Sequence, residues 1–271
     1  MADQDPDLQT VERIYDALES GDPDSALTLA RAALLTDSDD PVVRFLAGLA
    51  CLDLDRAADA VLELRHAVRL DPDDVEFRSQ LAYALFRSCE FDAARTEASR
   101  TLELDETIPE AHYTAGLLAE RAGALDEADA CFARANEIDS QTFPRPLRLD
   151  DRAFEKALDE AGGLLDETFR KHLDKVAVTV DALPSDAVLL ETNPPMDPEL
   201  LGLFVGVPLS ERSNFSPGGE LPPRILLFKR NLERAFPDPD ALKQEIGRTL
   251  HHELGHYLGL DEDELDAIGL S

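Results

Sequence analysis

Near its C-terminus the sequence runs Thr249-Leu250-His251-His252-Glu253-Leu254-Gly255-His256-Tyr257-Leu258-Gly259-Leu260-Asp261-Glu262, with His-Glu-x-x-His at 252–256. On a helix, residues four apart share a face one turn up, so His252 and His256 can aim an imidazole nitrogen at one cation. Glu253, beside them, is placed to take a proton from a metal-bound water rather than to bind the metal. A neutral imidazole pair suits zinc, which lowers the pKa of a water in its fourth position to about 7. The helix must end soon after His256, and Gly259 supplies a stop that tolerates positive φ.

Beyond that turn lies Asp261-Glu262-Asp263-Glu264. Glu262 has the spacing of a third ligand, completing His-x-x-Gly-x-x-Glu after His256, and Asp261 is the second candidate. Zinc proteases of this spacing usually carry a third His, so a carboxylate departs from their pattern. The same acidic run also suits a solvated helix start. Arg248, His251 and Tyr257 are near enough in sequence to help an oxyanion, but Tyr257 points elsewhere on the helix and suits core packing better. His251, about 100° round the helix from His252, suits a supporting or exposed position.

Upstream, Asp238 is an N-cap and Pro239 a first helical residue, and the helix they open runs through Leu242, Ile246 and Leu250. Arg152–Leu173 is a helical stretch with a weak point at Gly162-Gly163. Residues 175–180 alternate and are β-branched, a half-buried strand. Residues 200–207 form a second strand, with glycines that mark close approach or a bulge. Residues 224–229 form a third, and Asn231–Phe236 a short helical turn. Residues 210–223 are a loop rich in Gly, Pro and Ser. On sequence order, residues 224–229 are the edge strand that would pair with an extended substrate.

The first half is different. Residues 7–40, 41–74, 75–108 and 109–142 superpose at a period of 34, with Ala26, Ala60, Ala94 and Ala128 in one slot. Ala33, Ala67, Thr101 and Ala135 occupy a second slot, and Ile14, Gly48, Ala82 and Gly116 a third. Each unit reads as two helices around a break such as Ser20-Gly21-Asp22-Pro23 or Ala122-Gly123. Small residues let the helices approach closely, and the apolar face left over requires stacked neighbours. His66 and His112 stand alone and suit surface or packing positions. Residues 1–6 are a tail, residues 143–149 a linker marked by Pro144 and Pro146, and residues 150–271 the second domain.

With 57 acidic and 26 basic residues the net charge is −31, which argues against nucleic acid as a partner. The excess is −20 over residues 1–140 and −11 over the rest, so it belongs to the whole surface. A salty cytoplasm, plain solubility and basic partners are all compatible with it. Three cysteines form no ligand-like cluster and read as small helix residues of a reducing compartment. The acidic N-terminus is no signal peptide, and no run approaches the ~18 apolar residues of a membrane span. The expected location is the cytoplasm, with no membrane partner.

The period of 34 and its small-residue slots resemble the tetratricopeptide repeat family, although the first-helix Trp is absent. The resemblance implies a helical solenoid whose concave face binds a protein or peptide partner. Residues 150–271 resemble the bacterial zincin-like metallopeptidase family. The resemblance rests on Phe154–Asp159, Val176–Val180 with Leu183-Pro184, Leu201–Leu209, Leu221–Ile225 and His252–Glu262. It implies a small α+β domain with a mixed sheet and a His-Glu-x-x-His helix. In it His252, His256 and Glu262 hold Zn2+, Glu253 is the general base, and a peptide or protein substrate is hydrolysed. The chain stops at Ser271, leaving no room for the methionine turn of larger zinc proteases, so the floor of the site must come from upstream. The competing expectation is a non-catalytic repeat scaffold with a structural or vestigial metal site.

Overall fold

The protein, as a computed structural model, is described over residues 6–211 and 222–269. Residues 1–5 of the tail and residues 212–221 of the 210–223 loop lie outside the described residues. The chain divides into two compact units, one running to Pro144 and including Leu189–Pro198, the other comprising Arg145–Val188 and the chain from Glu199.

The first unit pairs α1 (Pro6–Glu19) with α2 (Pro23–Leu34), α3 (Pro41–Asp53) with α4 (Ala57–Leu70), α5 (Val75–Arg87) with α6 (Phe91–Leu104), and α7 (Pro109–Arg121) with α8 (Leu125–Ile138). Asp22, Asp40 and Asp74 accept backbone N–H groups at the starts of α2, α3 and α5, and each such cap stabilises its helix by about 1 kcal/mol. Ala26, Ala60, Ala94 and Ala128 are fully buried. At Gly48 an added Cβ would sit 2.5 Å from Leu64 Cγ, so α3 and α4 touch with no room for a side chain.

Polar clamps repeat with the same period. Arg44 binds Glu63 at 2.6 Å and the Ser38 carbonyl at 3.0 Å. Arg78 binds Glu97 and the Pro72 carbonyl in the same way. In the fourth repeat His112 holds the Glu106 carbonyl, 2.9 Å from Nε2. His112 is therefore a structural substitute for an arginine.

The turns between paired helices also repeat. Gly21, Asp55, Cys89 and Gly123, spaced 34 apart, all have positive φ (73°, 56°, 60° and 76°). The first helices of successive repeats touch one another, α1 with α3, α3 with α5 and α5 with α7, and the second helices do not to a comparable extent. The first helices therefore line the inner face of the array.

The second unit contains α9 (Asp151–Leu164), α10 (Glu167–Leu173), β1 (Ala177–Asp181), most of α11 (Asp186–Leu189), β2 (Gly202–Val205), β3 (Arg224–Phe228), α12 (Lys229–Ala235), α13 (Pro239–Leu258) and α14 (Glu262–Ala267). The predicted Arg152–Leu173 stretch is thus two helices. The break falls at Leu165-Asp166, where Asp166 caps α10, rather than at Gly162-Gly163.

The sheet is mixed, in the order β1-β3-β2, with β1 parallel and β2 antiparallel to β3. The expectation that residues 224–229 form an edge is overturned, because β3 is the central strand. Its unbroken apolar run Ile225-Leu226-Leu227-Phe228 is buried throughout, as befits a strand covered on both faces. Among the described residues β2 pairs with no second strand, and its outer edge lies on the α13 side.

α13 is the hub, packing on α9, α10, β2 and β3. Leu242, Ile246, Leu250, Leu254 and Tyr257 form its core stripe, joined by Phe154, Phe169, Ile225 and Leu227. The segment leading into α9 is tied down by Glu233 of α12, whose side chain is wholly buried. Its carboxylate accepts the Leu149 N–H at 2.9 Å and pairs with Arg230 at 2.8 Å, and its own carbonyl accepts the Leu147 N–H at 2.9 Å. Among the described residues no helix is long and apolar enough to cross a membrane.

Candidate metal centre

Asp238 accepts the N–H groups of Asp240 and Ala241 at 3.0 and 2.9 Å, with Pro239 in the first turn. The other end stops at Gly259, φ 98°, whose N–H returns to the carbonyls of Gly255 and His256. Ser210 Oγ would lie 2.0 Å from a Cβ at Gly259, so this position is closed to a side chain by space as well as by φ.

The reversal brings α14 back against α13 at Gly255, where an added Cβ would meet Leu265 Cδ2 at 2.3 Å. Asp261 caps α14, accepting the Glu264 N–H at 2.9 Å, and Glu264 answers by accepting the Asp261 N–H at 3.1 Å. With Asp261 engaged in this reciprocal cap, Glu262 is the carboxylate that faces the histidines.

His252 Nε2 and His256 Nε2 lie 3.0 Å apart, and Glu262 oxygens lie 3.7 and 3.3 Å from them. Two nitrogens at ~2.1 Å from one tetrahedral ion are themselves roughly 3.4 Å apart. The three side chains form a group able to hold a metal ion, and two imidazoles with one carboxylate make a donor set suited to zinc. His256 Nδ1 lies 3.1 Å from the Leu260 carbonyl. A carbonyl only accepts, so Nδ1 carries the proton and the Nε2 lone pair is turned toward the group.

Glu253 is buried, and its Oε2 accepts the backbone N–H of Phe204 in β2 at 2.6 Å. Burial pushes its carboxyl above the ordinary carboxylate range, opposed by His252, His256 and the Phe204 N–H. β2 comes this close because residue 202 is glycine: a Cβ there would meet Thr249 Cγ2 at 2.5 Å and Glu253 Cγ at 3.4 Å. A cavity of about 180 Å³ opens here, lined by Leu201, Gly202, Glu245, Arg248, Thr249, His252 and Glu253.

Of the three neighbours considered for an oxyanion, Tyr257 is buried against Phe204 with ring centroids 5.9 Å apart. His251 stacks edge-on against Phe169 and faces Asp166 at 3.5 Å, away from the other two histidines. Arg248 lies at the cavity rim and pairs with Glu245 at 3.4 Å. The close approach that the glycines of residues 200–207 signal is found at Gly202, whereas no sequence signal marks Phe204 and Thr249 as its partners in the site.

Residues 173–270 match the zincin-like metallopeptidase family, and residues 11–75 and 79–141 match the tetratricopeptide repeat family. No curated protein matches the chain significantly. Solved structures that resemble it include a crystal structure of MamA at 23% identity, covering 54% of this chain and 79% of that one, with a TM-score of 0.41. A second MamA crystal structure has 20% identity, covers 52% and 77%, and has a TM-score of 0.43. The chain thus carries tetratricopeptide repeats within residues 11–141 and a zincin-like metallopeptidase domain at residues 173–270.

Proposed function

We propose that the second unit is a zinc-dependent peptidase and that the repeat array recruits a protein or peptide to it. The observation that carries this reading is the convergence of His252, His256 and Glu262 beside a buried Glu253. A purely structural metal site has no need of a carboxylate held buried next to its ligands.

His252, His256 and Glu262 would hold the metal. When bound, zinc supplies a Lewis acid and lowers the pKa of water to about 7. Glu253 is the general base: its Oε2 is fixed by the Phe204 N–H, which leaves Oε1 to take a proton. A carboxyl raised by burial is better matched to proton transfer near neutral pH than an ordinary one.

β2 supplies the substrate edge. The Leu201 carbonyl accepts from Phe228 and so faces β3, whereas the Phe204 N–H faces away. By antiparallel alternation Gly202 and Phe204 turn their main-chain groups to the outer side. The Phe204 N–H is held by Glu253, so pairing with a peptide falls to the Gly202 groups and the Phe204 carbonyl. An extended peptide pairing there passes in front of Glu253. The cysteines are free thiols, and burial raises Cys51 and Cys131 above the ordinary thiol range, which suits a reducing compartment such as the cytoplasm.

The test is a peptide-library digest with Glu253→Gln as control. Cleavage by the native protein, lost in a variant that still takes up zinc, supports the reading. Equal cleavage by both removes Glu253 as the base. No cleavage by a zinc-loaded native protein favours the non-catalytic scaffold.

A further inference from the structure

The chain leaves the second unit after Val188, contributes Leu189–Pro198 to the repeat unit, and returns at Glu199. This excursion is a compact loop. Leu189 and Pro198 are buried, and the Met196 N–H donates to the Leu189 carbonyl at 2.8 Å. It seats on two side chains of repeat three, Arg87 and Cys89. Arg87 of α5 pairs with Asp197 and, at 2.9 Å, with Asp55. The Cys89 thiol lies 3.6 Å from the Met196 carbonyl. The Arg87 guanidinium also lies 5.9 Å from the Tyr83 ring centroid.

The pairing with Asp197 is the more enclosed of the two: side-chain exposure is 13% for Arg87 and 36% for Asp197, against 85% for Asp55. An independent feature marks the same place. Of the four equivalent turn positions with positive φ, repeats one and four use glycine, while Asp55 and Cys89 hold the conformation with a side chain. Those two side chains are the ones that touch Arg87 and the loop. Strain of this kind persists where contacts over-determine it, often at binding sites.

We propose that residues 189–198 are a tethered ligand of the repeat array, and that the surface around Tyr83, Arg87 and Cys89 accepts in their place a proline-flanked acidic peptide. Pro194, Pro195 and Pro198 restrict the free segment, so little entropy is lost when it is seated. The Asp197 carboxylate supplies a charge-assisted contact to a planar guanidinium. Because the internal segment is covalently attached, it competes at high effective concentration, and a partner sees its affinity reduced by the fraction of free surface.

The test uses full-length protein and a fluorescent synthetic peptide with the sequence of residues 189–199, followed by anisotropy. Asp197→Asn in the protein, a near-isosteric change at a half-buried side chain, should strengthen peptide binding by about tenfold or more. Adding Arg87→Gln should abolish that gain, and the peptide carrying Asn at position 197 should bind neither form. In native protein, saturating peptide should speed hydrogen exchange at the Met196 amide. Equal affinity for native and Asp197→Asn protein overturns the proposal. So does binding that ignores Arg87, absence of binding to every form, or a Met196 amide that saturating peptide leaves unchanged.

Discussion

Glu253 Oε2 and the backbone nitrogen of Phe204 lie 2.6 Å apart, so the acidic residue of the His-Glu-x-x-His helix is held by the outer edge of β2. Sequence spacing gives Glu253 its neighbours, His252 and His256. Its environment comes from a strand almost fifty residues away, and several consequences follow from that contact and from those around it.

Gly202→Ala should push β2 away from α13, since the new methyl would meet Thr249 Cγ2 at 2.5 Å. Overpacking of this kind costs about 1–3 kcal/mol, and losing a hydrogen bond to a charged group adds roughly 1.5–3 kcal/mol to any step that relies on it. Denaturant unfolding should show the loss. Adding Thr249→Ser, which removes the obstructing methyl, should restore most of it.

Glu233→Ala should be strongly destabilising to the second unit. It strands Arg230 and leaves the Leu149 N–H without its 2.9 Å acceptor. Breaking a buried charge pair costs about 3–5 kcal/mol. A drop below 1 kcal/mol in chemical unfolding would show that the segment before α9 is not held by this residue.

Cys89→Gly and Gly123→Ala should move stability in opposite directions. At φ 60° Cys89 occupies left-handed backbone that glycine adopts freely, whereas at φ 76° Gly123 already has glycine. Beyond its chain neighbours, nothing lies within 4 Å of a Cβ built on Gly123, so its substitution meets no clash. The left-handed conformation costs an L-residue about 1–2 kcal/mol. Thermal unfolding of the repeats should rise for the first variant and fall for the second.

His251 and His172 should each cost the second unit stability in mild acid. Burial lowers His251 below the usual imidazole range, and burial with Lys175 and Lys171 nearby lowers His172. In the unfolded chain both protonate near ~6.5, so above that pH neither contributes a pH dependence. As pH falls from about 6.5 toward the lowered native values, the unfolded chain binds more protons and the native state loses ground. Glu253, raised by burial, works in the opposite direction, so the histidine loss is read as a difference. Across that window the melting temperature of metal-free native protein should fall relative to that of His251→Gln.

Much of this organisation was legible in the sequence. Asp238, Pro239 and Gly259 mark both ends of α13 because capping is local chemistry. The period of 34 announces stacked helix pairs because each pair must bury its face on the next. Sequence order puts β3 at the edge of the sheet, whereas its run of four apolar residues without alternation is the mark of a strand covered on both faces. The left-handed turns at Asp55 and Cys89 were hidden because neither is glycine; only their spacing from Gly21 and Gly123 discloses them. The return of residues 189–198 to the repeats is a long-range pairing of Arg87 with Asp197, and nothing in either segment alone encodes it.

The most direct measurement is zinc content by elemental analysis of purified protein and of four variants. The account predicts one zinc per chain, retained in Glu253→Gln and Asp261→Asn, weakened in Glu262→Gln and lost in His256→Ala. Protein that takes up no zinc at neutral pH, or that loses zinc with Asp261→Asn but not with Glu262→Gln, would contradict the proposed centre.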